Sequence, residues 1–291
     1  MEPLYMLEGH KKGVSSVAIS GTLLVSGSYD GTVKVWDLLT RKLLYTLGYW
    51  RKTSVVAIDN NCIVAGTCYG VINVWDQKSG NLLHTIKGHK YEVSAIVINN
   101  DIIISSESIN TAVKVWDRLT GALLRIIDGH NSPVAPMVVS NDGNRIVSGS
   151  VDRTVKVWDQ KSGNLLHTLE GHKKCILTVA INDNIVVSGS YDGAIKVWDL
   201  LSGNLLYTIE EQSYVNSIVI SGETIIGGLG NGTIKIWDLR SGTILRILGN
   251  HKKAVSSLAV GNDVIVSGSL GKKVIMEKEL REQDRFNFVQ S

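Results

Sequence analysis

The sequence has little proline, almost no phenylalanine, and nothing that reads as a helix. Three prolines and two phenylalanines occur in 291 residues, and both phenylalanines, Phe286 and Phe288, fall among the last six. The end of the chain is thus compositionally separate from the rest. No sustained 3.6-residue apolar period appears before that tail, which argues against a helical domain. No apolar run is long enough to cross a bilayer as a helix. The N-terminus, Met-Glu-Pro-Leu-Tyr, lacks the basic region and apolar run of a secretory signal. The three cysteines, Cys62, Cys68 and Cys175, have no metal-ligand spacing, and an odd number cannot form a complete disulfide framework. Free thiols in a reducing compartment are expected. Thirty basic residues face 27 acidic ones, a net charge of +3, without the basic excess that marks a nucleic-acid surface. The expectation from this reading is a soluble cytoplasmic protein with no membrane partner.

What the chain has instead is repetition. Residues 187–199 read Val-Ser-Gly-Ser-Tyr-Asp-Gly-Ala-Ile-Lys-Val-Trp-Asp, and the first seven recur unchanged at residues 25–31. Trp-Asp pairs begin at Trp36, Trp75, Trp116, Trp158, Trp198 and Trp237, at intervals of 39, 41, 42, 40 and 39 residues. Residues 74–90 and 157–173 differ only at Ile86/Leu169 and Lys87/Glu170, so duplication within the chain is the simplest account. A period near 40 with four short strands per unit is the signature of a propeller.

The unit starting near Glu170 shows why. Residues 176–181, 185–190, 194–199 and 205–209 read as strands separated by Asn-Asp-Asn, Tyr-Asp-Gly and Leu-Ser-Gly-Asn clusters. Connections this short join antiparallel neighbours. Ile195 and Val197 point to one face of the sheet and Trp198 to the other. A sheet apolar on both faces needs a neighbour on each side, and a closed ring gives every sheet two. Seven units begin near Glu8, Gly48, Lys87, Asp128, Glu170, Glu210 and Gly249. Residues 3–7 match an ordinary fourth strand, whereas the last unit has only three. The expected fold is therefore all-β: a seven-bladed β-propeller of four-stranded antiparallel blades, closed by the N-terminal strand. Residues 1–280 form the propeller in this reading and residues 281–291 a polar tail.

These repeats resemble the WD-repeat β-propeller family, in the style of bacterial WD-repeat proteins and of F-box/WD proteins. The resemblance implies a buried His, Ser or Thr, Asp and Trp tetrad in each blade. It is met by His10, Ser26, Asp30 and Trp36, by His130, Ser148, Asp152 and Trp158, and by His172, Ser188, Asp192 and Trp198. The third blade offers His89, Ser106 and Trp116, with Asn110 in the Asp place. The second has Ala65 and Tyr69 in the Ser and Asp places and Tyr49 in the His place. The sixth has Gln212, Gly227 and Asn231. The seventh keeps His251 and Ser267 but has Gly271 and Glu277 in the Asp and Trp places. Blades one, four and five are expected to be firm, and six, seven and two softer.

Recurring His, Ser and Asp invite a hydrolase reading, but catalytic groups occur once rather than in a ring of copies. No Gly-rich loop opens a helix to cradle phosphate. No cofactor, metal or catalytic residue is expected. The loops after Gly-His carry Lys11 and Lys12, Arg51 and Lys52, Lys90, Lys173 and Lys174, and Lys252 and Lys253, all expected on one face. The resemblance implies that this face, around the channel, binds peptides. Positions before the first strands include Gly13, Glu92, Pro133, Cys175, Tyr214 and Ala254. Those before the Asp place include Tyr29, Cys68, Ile109, Val151, Tyr191 and Leu270. Tyr29, Tyr191 and Tyr214 are candidate aromatic anchors. The expected function is a non-catalytic scaffold, monomeric within a complex, binding a protein or peptide partner of acidic or phosphorylated character. Residues 236–240, Ile-Trp-Asp-Leu-Arg, resemble the Trp-Asp-x-Arg box of cullin-4 ligase receptors. A ubiquitin-ligase substrate receptor is therefore the first alternative, and a propeller enzyme the second.

Overall fold

A computed structural model describes residues 5–48, 52–248, 251–271 and 273–278. Seven four-stranded antiparallel sheets form, and among the described residues there is no helix. Blade 5 is typical, with strands Ile176–Asn182, Ile185–Ser190, Ala194–Asp199 and Leu205–Glu210. The expected breaks at Asn-Asp-Asn and Tyr-Asp-Gly hold to within a residue.

First strands of neighbouring blades lie side by side, whereas fourth strands do not, so the first strands line the centre and the fourth strands the rim. The core lies between blades. Each Trp packs on the preceding blade: Trp198 joins Val147, Val155, Val157 and Leu169 of blade 4, and Trp36 joins Val266, Val274 and Met276 of blade 7. This is the two-sided apolar pattern resolved, every sheet buried between two others.

Blade 7 is completed by the N-terminal strand. Tyr5–Leu7 pairs antiparallel with Val274–Lys278, Tyr5 opposite Met276 and Leu7 opposite Val274. Pro3 and the tail with Phe286 and Phe288 lie outside the described residues. Inner strands also fasten this seam. Ser256 donates its hydroxyl to Val14 O at 2.7 Å, and Val17 N–H donates to Ser257 Oγ at 3.1 Å. The same pattern joins blades 1 and 2, where Ser15 donates to Thr53 O at 2.8 Å.

Candidate partner-binding face

The buried tetrads fix the loops that form this face. In blade 1, Trp36 donates its indole N–H to Ser26 Oγ at 2.8 Å, and Ser26 meets His10 Nε2 at 2.8 Å. His10 Nδ1 lies 3.1 Å from Asp30 Oδ2. Blade 4 repeats this at 2.8, 2.8 and 2.9 Å, and blade 5 at 2.9, 2.8 and 3.2 Å. The donor sequence runs Trp N–H to Ser, Ser O–H to His Nε2, and His Nδ1–H to Asp. Burial pushes the His10, His130 and His172 imidazoles below their usual range, against the upward pull of the aspartates, so they are neutral at pH 7. Burial opposes ionisation of Asp30 and Asp152 too. Hydrogen bonds from the Thr32 and Thr154 hydroxyls and from backbone amides outweigh it and hold both at about 2. Ser26, Ser148 and Ser188 are fully buried and already committed to Trp and His, so none can attack a substrate.

Blade 3 corrects two assignments. The tetrad serine is Ser105, not Ser106: Trp116 donates to Ser105 Oγ at 2.7 Å and His89 Nε2 meets it at 2.7 Å. Ser106 instead pairs with Ser94 at 2.9 Å. Nor does Asn110 replace the aspartate. Buried Glu107 accepts from the Lys90 and Tyr91 amides, both at 2.9 Å, as Asp30 accepts from Lys11, while Asn110 donates to Glu107 at 3.0 Å. The turn in blade 3 is one residue longer, so counting back from Trp116 lands one position late. Likewise Ser108 rather than Ile109 is the counterpart of Tyr29, since its N–H donates to Glu92 O at 2.8 Å.

In blade 6 the His place belongs to Glu211, not Gln212. Its N–H donates to Gly193 O, as His89 N–H donates to Gly70 O, and its carboxylate pairs with Lys235 at 2.7 Å. With Gly227 in the Ser place, the fully buried Trp237 leaves its indole N–H without a partner among the described residues. In blade 7, His251 Nε2 meets Ser267 Oγ at 2.8 Å, and Glu277, opposite Ile265, stands in the Trp place. Burial raises Glu277 to about 7 despite Arg246 nearby. Tyr49 and Arg51 lie outside the described residues. Among the described residues, a cavity of about 430 Å³ opens between blades 1 and 2, lined by Val33, Ala65, Val71, Trp75 and Leu82.

The Gly-His loops and the turns after the second strands share one face. Tyr29 N–H donates to Gly13 O at 3.1 Å, Tyr191 N–H to Cys175 O at 3.0 Å, and Gly230 N–H to Tyr214 O at 2.9 Å. Lys11, Lys12, Lys52, Lys90, Lys173, Lys174, Lys252 and Lys253 are all exposed there. Tyr191, half exposed, stacks on Tyr214 with centroids 5.1 Å apart and planes 12° from parallel. Lys174 Nζ lies 5.2 Å from the Tyr191 centroid. Tyr29 is half-buried rather than an open anchor. Burial raises its phenol, and the charges of Glu92 and Cys68 add to the shift.

The WD40 family model, described as "WD domain, G-beta repeat", matches residues 1–37, 80–117, 121–159, 163–199 and 203–238. The chain belongs to this family. The matched segments leave out the first three strands of blades 2 and 7, two blades in which the Trp-linked tetrad is broken. The computationally designed Ika8 protein is similar in structure, with a TM-score of 0.77 and 32% identity over 94% of this chain and 98% of that one. "Cell division control protein 4" of Candida albicans is 53% identical over 34 residues, 12% of this chain and 5% of that protein. Scon-2 of Neurospora crassa, described as a "probable E3 ubiquitin ligase complex SCF subunit", is 39% identical over 44 residues, 15% of this chain and 7% of that protein. The chain therefore spans only a small part of the length of these relatives.

The WD40 pattern hid three residues of the face. Arg153 is exposed and left-handed at φ 74°, in the turn position held by Gly31, Gly70, Gly193 and Gly232. It gives blade 4, whose Gly-His loop has no lysine, a cation of its own; the signal was Asp-Arg where other repeats have Asp-Gly. Tyr91 is exposed beside Lys90, whose Nζ lies 5.4 Å from the ring centroid. Gly230 makes room for Tyr214, since a β-carbon there would lie 2.2 Å from the ring.

Proposed function

We propose that the Gly-His face is a docking platform for a protein or peptide partner of acidic or phosphorylated character, and that the protein acts as a non-catalytic scaffold in the cytoplasm. WD40 propellers are, as a family, interaction scaffolds, and that is the coarse part of the reading. The observation that carries the finer part is the Tyr191–Tyr214 stack with Lys173 and Lys174 exposed beside it. A preformed aromatic surface anchors a partner with little ordering cost, and cations around it attract negative charge from a distance. Capture of partners with the intact protein, followed by binding kinetics of Tyr191→Ala and of Lys173→Glu/Lys174→Glu, tests it. A partner whose affinity ignores both changes would refute the assignment.

A substrate-recognition role in a ubiquitin ligase is the second reading. It is favoured by the local identity to scon-2, whose name gives it as a probable subunit of such a ligase. Recovery of ligase subunits in the same capture experiment would support it.

A further inference from the structure

The rim turns between third and fourth strands share one geometry. Gly80, Gly121, Gly163, Gly203 and Gly242 each adopt a left-handed φ of 70–77° and donate their N–H to an Asp carbonyl four residues earlier. Each glycine faces the fourth strand of the preceding blade. A β-carbon on Gly80 would lie 3.4 Å from the Tyr45 ring, and one on Gly242 would lie 2.9 Å from the Tyr207 ring.

The seam between blades 7 and 1 breaks this rule. Arg41 stands in the glycine place, with φ 63° and the same N–H bond to Asp37 O. A side chain in that conformation is disfavoured. Its guanidinium carbon lies 3.3 Å from the ring centroid of Tyr5, the closing-strand counterpart of Tyr45. Guanidinium stacking on an aromatic face is attractive and geometrically selective.

The closing strand needs such a contact. It pairs with blade 7 over three residues, only Leu7 of them is buried, and no turn ties it to the third strand of its own sheet. Among the described residues, Lys273 reaches Met6 Sδ at 3.3 Å and, just past the strand, Glu8 at 3.5 Å, both exposed and weak contacts. The inner seam is fastened separately, by Ser256 to Val14 and by Ser257 to Val17.

We propose that the seam has two independent fasteners and that Arg41 pins the outer one. The strand Tyr5–Leu7 lifts from blade 7 while the inner wall stays shut, and the Arg41–Tyr5 stack sets how often it does so. Local opening of this kind is read by amide hydrogen exchange. Arg41→Gly restores the residue of the other turns, and Arg41→Asn keeps a side chain that tolerates the left-handed conformation, so neither threatens folding. On the full chain, both variants and Tyr5→Ala are expected to speed exchange at residues 5–7 and 274–276 at least tenfold. Residues 14–17 and 255–258 should stay unchanged, and Arg41→Gly should add nothing to Tyr5→Ala. Unchanged exchange at residues 5–7 in Arg41→Gly would overturn the pin. Inner strands that quicken together with the outer strand would overturn the two fasteners.

Discussion

The indole of Trp237 occupies the space that a side chain on residue 227 would need: a β-carbon on Gly227 would lie 2.7 Å from Cζ3. In blade 5 the equivalent Trp198 instead presents its N–H to Ser188 at 2.9 Å. Blade 6 has therefore exchanged a hydrogen bond for contact of the indole with bare backbone. Gly227→Ser restores the family residue in name but forces a side chain against the benzo edge. The expected result is a loss of about 1–3 kcal/mol in urea unfolding, the usual cost of overpacking a core. A raised midpoint would mean that Trp237 turns back to the hydroxyl.

That blade shows where the sequence was legible. A missing hydroxyl can be read from Gly227, but the displacement of the indole cannot, because it depends on the space glycine leaves. The tetrads of blades 1, 4 and 5 were legible because their text is nearly identical and the spacing from Ser to Trp is constant. Blade 3 failed at one residue of turn length, which moved the serine to Ser105 and let the longer Glu107 reach the amides that an aspartate usually takes. Arg41 was invisible as a seam residue, since its meaning depends on a strand 36 positions earlier in sequence.

Trp198→Ala removes a buried aromatic together with the N–H that Ser188 accepts. It should cost about 3–5 kcal/mol. Glu277→Ala, at the same place in blade 7, should cost far less, because no tryptophan-centred network exists there to break. Equal denaturation midpoints for the two would contradict the equivalence of these positions.

Glu277 also gives the closing blade a pH signature. Burial raises its carboxyl from 4.5 in the reference state to about 7 in the fold. Between those values the folded state binds more protons than the unfolded chain, so stability from this group falls as pH rises through the window. The buried histidines act in the opposite sense: their folded values are depressed, His89 and His251 to about 4, so their contribution falls as pH drops below 6.5. The comparison that isolates Glu277 is therefore a difference between variants. Glu277→Gln should match the parent near pH 4 and exceed it in melting temperature at pH 8. Parallel curves across that range would refute the assignment.

The proposed docking face makes the most specific kinetic prediction. Charge reversal at Lys173 and Lys174 should slow partner association and flatten its salt dependence, since exposed cations act mainly on encounter. Tyr191→Ala should instead raise the dissociation rate, because it dismantles the stack with Tyr214 that would be desolvated on contact. Arg153 separates stability from binding within one residue. Its left-handed backbone costs roughly 1 kcal/mol relative to glycine. Arg153→Gly should therefore raise the melting temperature while weakening association with an acidic partner. Lys161→Ala, in a turn on the opposite face, should change neither. If Arg153→Gly stabilises the protein and leaves association untouched, the cation of blade 4 has no part in docking. If only changes in the opposite turns alter affinity, the partner sits on the other face of the ring.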